Sequence, residues 1–85
     1  MVLKLVEKVN EKINNGQSLH VACDCGASRI MDAVVPDSIN TEDGIYIEGE
    51  NLILNITNDK EINIDFDEIE EEFIIHQGSV TYFLS

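Results

Sequence analysis

The amino-acid sequence predicts a single α+β domain: one N-terminal amphipathic helix packed on an antiparallel sheet, a meander of about five to six short strands. Apolar residues recur every three or four positions at the start of the chain and every second position afterwards. The length of 85 residues suits one domain, and twelve isoleucines with a single proline favour strands over loops. We therefore expect one domain over residues 1–85.

The first segment, from Val2 to Asn15, has the periodicity of an amphipathic helix. Leu5, Val9 and Ile13 share one side of this helix, while lysines and glutamates occupy the other. The sequence Asn-Asn-Gly then predicts that the helix stops at Gly16, since glycine readily adopts the left-handed conformation of a helix end.

The next segments contain one clear strand and one ambiguous stretch. Apolar and polar residues alternate from Ser18 to Cys25, which predicts a half-buried strand followed by a turn at residues 26–28. Residues 29–35 fit either a strand or one face of a helix, and both interpretations stay open. Pro36 ends this segment in either case.

Residues 43–66 form the clearest β region, for which the pattern predicts a meander of three strands. The inward positions are Ile45, Ile47, Leu52, Leu54, Ile56, Ile62, Ile64 and Phe66. Turn residues separate these rows, at Gly49 and at Asn58. The acidic segment that follows, residues 67–72, is predicted to be a connector with one helical turn.

The C-terminal segments, residues 73–75 and 80–84, predict a hairpin whose strands are apolar on both faces. Such a strand either lies in the centre of a sheet or is covered by a partner. Because only one helix is available to cover the sheet, we expect a homodimer. Its predicted interface residues are Phe73, Ile75, Val80, Tyr82 and Phe83.

The net charge of −12, from 17 acidic and five basic residues, limits the possible partners. So few cations cannot follow a phosphate backbone or an anionic membrane, so we expect no direct contact with nucleic acid or membrane. No stretch reaches the roughly 18 apolar residues that span a bilayer, and the first segment is too charged for a signal peptide. We therefore expect a cytoplasmic protein (in the host cytoplasm if it is viral) that binds the basic surface of a protein partner.

Carboxylates are concentrated between Glu42 and Glu72, where twelve of them accompany one basic residue, Lys60. The candidate binding residues are Glu48, Glu50, Asp65, Asp67, Glu68, Glu70, Glu71 and Glu72. Rows of carboxylates can imitate the phosphates of a duplex, so we predict a non-catalytic inhibitor or decoy of a nucleic-acid-binding host protein, such as a nuclease or CRISPR effector. The alternatives are a structural or assembly module that forms homo-oligomers and a solvated acidic face without a partner.

A second alternative function comes from the segment between Cys23 and Arg29, which has the form Cys-x-x-Gly-x-x-Arg. Residues 19–35 are similar to the opening of low-molecular-weight tyrosine phosphatases and arsenate reductases. The resemblance implies that Cys23 is a thiolate nucleophile, that Arg29 holds phosphate oxygens and that Ser28 supports the thiolate. Those enzymes have a parallel sheet with crossover helices, whereas this chain predicts antiparallel hairpins. We therefore expect a protein that is not an enzyme.

Four side chains could in principle bind a soft metal: His20, Cys23, Cys25 and His76. Strand alternation places His20 on the opposite face from both cysteines, and Cys-x-Cys is shorter than the usual zinc spacing. The acidic segment also lacks the ligand order of a calcium-binding loop. We therefore expect no metal site and no cofactor.

Overall fold

The computed structural model describes residues 1–26 and 28–85, and within them the chain forms one helix and eight strands. In chain order these are α1 (Val2–Asn15), β1 (Leu19–Asp24), β2 (Arg29–Val34), β3 (Pro36–Asn40), β4 (Ile45–Gly49), β5 (Ile53–Ile56), β6 (Asn63–Asp67), β7 (Glu72–Gln77) and β8 (Val80–Leu84). The prediction of an α+β fold with an N-terminal helix is confirmed. The predicted number of strands was too low.

The eight strands form two antiparallel sheets instead of the predicted single meander. The larger sheet has the order β2-β1-β8-β7-β6, and the smaller one has the order β3-β4-β5. Strands β4, β5 and β6 were expected to be consecutive neighbours, but β6 pairs with β7 in the larger sheet. The side-chain amide of Gln77 fixes the loop that crosses between the sheets, because its nitrogen donates to the carbonyls of Thr57 and Lys60.

The ambiguous segment after residue 28 is strand β2, because it pairs in register with β1 from Asp24 opposite Arg29 to Leu19 opposite Val34. Strand β3 was not predicted, since Ile39 is its only large apolar side chain. It begins at Pro36, the first position of an edge strand, where a missing N–H is tolerated.

One apolar core joins the helix to the inner faces of both sheets. The helix contributes Leu5 and Val9, both fully buried, and it ends at Gly16 with a φ of 61°, as predicted. The buried core residues are Leu5, Val9, Leu19, Val21, Val34, Ile45, Ile47, Ile56, Phe73, Ile75 and Leu84. In the described part of the chain, no helix has the length and apolar character needed to cross a membrane.

The two-sided apolar character of the C-terminal hairpin follows from its position in the sheet. Strand β8 lies between β1 and β7, so its main chain is paired on both edges. Phe73 and Ile75 belong to the core, at 2% and 0% exposure, and cannot contribute to an interface of the folded protomer. Val80 and Tyr82 are half-buried on the same inner face, and half-buried Phe83 lies on the outer face. The core therefore covers the inner face of the hairpin, and Phe83 remains on the uncovered outer face.

The end of β4 approaches the larger sheet so closely that only glycine fits at position 49. A Cβ atom there would overlap the side chain of Val34 and lie 2.8 Å from the carbonyl oxygen of Val35. We expect Gly49→Ala to lower the free energy of unfolding by about 2 kcal/mol through overpacking, measured by chemical denaturation.

The double variant Val34→Ala/Gly49→Ala provides the control for this clash. Removing the Val34 methyl groups makes room for the new Cβ, so the double variant should lose less stability than the two single variants lose together. Additive losses would contradict a clash between these two positions.

Candidate acidic interface

Carboxylates cluster at the end of the larger sheet where β6 turns into β7. Six of the eight residues from 65 to 72 are acidic. Glu68 and Glu70 lie in the turn and are exposed, as is Asp65 on β6. The chain has 17 carboxylates and five Lys and Arg side chains, so most carboxylates cannot have their own cationic partner. This end of the sheet therefore has a concentrated negative charge.

The turn between β6 and β7 is ordered by one of its own carboxylates. Asp67 Oδ1 accepts hydrogen bonds from the main-chain N–H groups of Ile69 and Glu70, at 2.9 and 3.2 Å. Glu71 completes the turn with a φ of 52°, in the left-handed region. The segment is thus a capped tight turn and not the predicted helical turn, because the left-handed Glu71 leads directly into β7 at Glu72.

Three of the carboxylates lie on the outer face of the larger sheet. Asp67 pairs with Glu72 across the strands, while the next pair, Phe66 with Phe73, packs toward the core with ring centroids 4.8 Å apart. Asp65 is two residues from Asp67 and shares its face. Like charges directly opposite each other cost stability, typically a few tenths to about 1 kcal/mol.

Glu71 faces a different environment from its neighbours. It lines a cavity of about 240 Å³ between α1 and the larger sheet, together with Lys4, Lys8, Glu7, Glu11, Phe66 and Phe73. The ammonium group of Lys4 lies 3.8 Å from the centre of the Phe66 ring. Glu71 therefore lies among charges of both signs, two lysines and the helix residues Glu7 and Glu11, and not on the outer face of the sheet.

Glu48 and Glu50 are exposed but lie on the smaller sheet, on β4 and in the turn after it. Strand β4 pairs with β3 and β5, and neither of these strands pairs with β6 or β7. The eight predicted binding residues are therefore divided into a group of six on one hairpin and a group of two on another. The division could not be seen in the sequence because it depends on which sheet β6 joins.

The residues of the phosphatase-like motif do not converge on one site. Cys23 pairs with Tyr82 and shares the inner face of Val21, whereas the Arg29 guanidinium lies over the Phe83 ring on the outer face, 5.3 Å from its centre. The segment after the motif is strand β2 and not a helix. Ala27, within the motif, lies outside the described residues.

The environment of Cys23 also differs from that of a thiolate nucleophile. Burial, followed by the nearby Cys25 and Asp24, raises the pKa of the Cys23 thiol above its ordinary value. Burial and the same two cysteines raise the pKa of Tyr82. A nucleophilic cysteine needs the opposite shift, toward a thiolate at neutral pH.

The four possible soft-metal ligands are divided between faces and strands. His20 lies on the outer face of β1 and Cys23 on its inner face, while the His76 imidazole is 3.2 Å from the Thr81 hydroxyl. Within residues 1–26 and 28–85, no three His, Cys, Asp or Glu side chains are arranged to hold a metal ion.

The sequence interpretation missed a depression of about 400 Å³ on the outer face of the larger sheet. Its lining includes His20, Arg29, Met31, Glu72 and Phe83. Phe83 was recognised as an apolar residue on the second face of its strand, but the depression also requires β8 to lie beside β1. That neighbour relation is a property of strand order and leaves no local signal in the sequence.

Comparison of this chain with protein-family models, with curated proteins and with solved structures finds no match.

The capping role of Asp67 can be separated from its charge. Asp67→Asn and Asp67→Ala both remove the negative charge opposite Glu72, but only asparagine retains an oxygen acceptor for the two N–H groups. We expect Asp67→Ala to be less stable than Asp67→Asn by about 1 kcal/mol in chemical denaturation. Equal stability of the two variants would show that the cap contributes nothing.

The raised pKa of Cys23 predicts slow alkylation at neutral pH. In Cys25→Ser, where Cys23 is the remaining thiol, the rate of reaction with iodoacetamide should reach half its maximum at a higher pH than for a free cysteine peptide measured in parallel. The sign follows from burial, which disfavours the charged thiolate. A midpoint below that of the peptide would instead support the phosphatase resemblance.

Proposed function

We propose that this chain is a non-catalytic binding protein whose carboxylate-rich β6–β7 turn docks on a basic surface of a nucleic-acid-binding protein, as an inhibitor or decoy. The observation that carries the proposal is the ordered turn, in which six of eight residues are acidic, on a chain with a net charge of −12. We use the name acidic end for residues 65–72.

The spacing of the acidic end supports imitation of a phosphate row. Asp65 and Asp67 are two residues apart on one strand, which separates them by about 6.7 Å along its axis. Each strand of a DNA duplex carries one phosphate per about 3.4 Å. Glu72 on the adjacent strand, with Glu68 and Glu70 in the turn, brings the carboxylate density closer to that of the phosphates.

An ordered turn improves binding because less conformational entropy is lost on docking. The Asp67 cap holds the main chain of the turn before a partner arrives. Negative potential also accelerates the approach of a cationic surface, and salt weakens this effect by screening. A partner held in this way should bind rapidly at low salt and lose affinity steeply as salt increases.

Two matched charge reversals test which acidic group binds. Glu68→Lys/Glu70→Lys changes the acidic end, and Glu48→Lys/Glu50→Lys changes the smaller sheet by the same total charge. We expect the first variant to weaken partner binding by about tenfold or more, about 1.4 kcal/mol, and to reduce its salt dependence. The second should have a smaller effect, through long-range potential alone.

The measurement uses the wild-type chain and both variants as baits in a nuclease-treated cell lysate. Each bait is then tested for its ability to compete with a labelled nucleic-acid duplex for the captured proteins. The wild type should capture nucleic-acid-binding proteins and displace them from a labelled DNA or RNA duplex. If wild type and Glu68→Lys/Glu70→Lys capture and displace the same proteins equally, the acidic end is not the binding surface.

A further inference from the structure

Strand β2 forms a free edge of the larger sheet. His20 and Ser85 exchange two main-chain hydrogen bonds, at 3.0 and 2.9 Å, so the main-chain groups of His20 face β8. Because main-chain direction alternates along a strand, Val21 faces β2 and bonds with its partner Asp32. The neighbours of Asp32 on β2, Met31 and Ala33, therefore direct their N–H and C=O groups away from the sheet.

One of these outward N–H groups already donates a hydrogen bond to a side chain. The Ala33 N–H donates to the carboxylate of its neighbour Asp32, at 2.8 Å, which confirms its outward direction. Arg29 and Met31 have the same outward orientation by alternation. The edge thus offers the outward N–H and C=O groups of Arg29 and Met31, whereas the Ala33 N–H is already bonded to Asp32.

The two charged side chains of the β2 edge, Arg29 and Asp32, have opposite signs, unlike those of the opposite edge. Strand β6, at the other side of the sheet, carries Asp65 and Asp67, and charged side chains are a common protection against unwanted strand pairing. On β2, Ile30 and Met31 are 64% and 72% exposed. Exposed apolar side chains on a free edge are the features that a pairing strand uses.

The net charge of the chain indicates whether a second copy or a different protein is favoured as the partner of the β2 edge. A second copy would bring a net charge of −12 against an equal charge, which opposes association. An extended segment rich in Lys or Arg would be attracted by the same charge. The charges near this edge are mixed, because Asp32 and Arg29 both belong to β2 and Glu50 lines a cavity with Val34 and Val35. The attraction therefore comes from the net charge of the whole chain.

We propose that the β2 edge binds an extended cationic segment of the partner as an added strand, through the outward main-chain groups of Arg29 and Met31. The proposal depends on the proposed function in that the partner is a basic protein. The acidic end attracts this partner, and the β2 edge provides a second, hydrogen-bonded contact.

The added strand would place alternate side chains in two environments. Residues opposite Arg29 and Met31 lie on the outer face, above the depression lined by Met31, Ala33 and Phe83, where apolar side chains fit. The residues between them lie on the other face, beside Ile30 and Asp32, where a lysine is favoured by the carboxylate. The pattern expected of the bound segment is therefore an alternation of apolar and basic residues.

The test uses an eight-residue peptide of alternating Lys and Val, with blocked ends, titrated into the ¹⁵N-labelled chain. We expect the amides of Arg29 and Met31 to shift and to become protected from hydrogen exchange by at least tenfold. The same peptide N-methylated throughout keeps its charge but cannot donate, so it should bind at least tenfold more weakly. Equal binding of both peptides, or protection located elsewhere, would overturn the proposal.

Met31→Pro removes one outward N–H without removing a bond to β1, and proline is tolerated at such edge positions. With the fold verified by circular dichroism, the variant should bind the Lys-Val peptide at least tenfold more weakly than wild type. If Met31→Pro does not fold, the comparison of the two peptides on the wild-type chain decides the question.

The failure of this proposal is distinguishable from that of the proposed function. If Glu68→Lys/Glu70→Lys abolishes peptide binding and Met31→Pro leaves it unchanged, the acidic end binds the peptide and the β2 edge does not. If Met31→Pro alone abolishes binding, the edge proposal stands without the acidic end. A dimer in sedimentation equilibrium that Met31→Pro dissociates would show that the occupant is a second copy, which overturns the cationic segment.

Discussion

The fold depends on one small apolar core that two sheets and one helix share. Leu5 and Val9 supply the helix side, Ile45 and Ile47 the smaller sheet, and Phe73 is among the residues from the larger sheet. Because each element has only one face in this core, its other face is left to solvent. No polar or charged side chain is buried among the described residues, so the whole negative charge lies at the surface or close to it. This arrangement makes the outer faces available for binding.

The outer face of the larger sheet is asymmetric in charge and polarity. Its β6–β7 side carries Asp65, Asp67 and Glu72, whereas its β2 side carries Arg29 and the exposed Met31. The depression lies between these two sides, since its lining reaches from β2 to Glu72. A partner on this face would meet electrostatic attraction at one side and apolar contact with free main-chain groups at the other. Rapid approach and durable binding can thus come from different parts of one surface.

Elements whose sequence signal is local were predicted from the sequence. Features that depend on which strands are neighbours in space were not. Helix α1 was predicted because its periodicity and its glycine stop belong to one segment. Alternation identified the inner faces of most strands, but it does not specify which strands pair, so a single meander was expected instead of two sheets. The same limit placed Glu48 and Glu50 with the acidic end. Strand β3 was missed because a polar segment can form a strand when its neighbours supply the pairing.

The net charge has two consequences at the exposed β2 edge. Strand β6 carries two carboxylates, whereas β2 carries Arg29 and Asp32 beside the exposed Ile30 and Met31. An edge of this kind promotes aggregation in a neutral protein. Here each copy repels the next through its net charge of −12, which opposes pairing of this edge with a second copy. The same repulsion becomes attraction for a cationic strand, so charge would select the partner and hydrogen bonding would hold it. Self-repulsion of this charge opposes the stability of the fold, and under the proposed function the same charge attracts the partner.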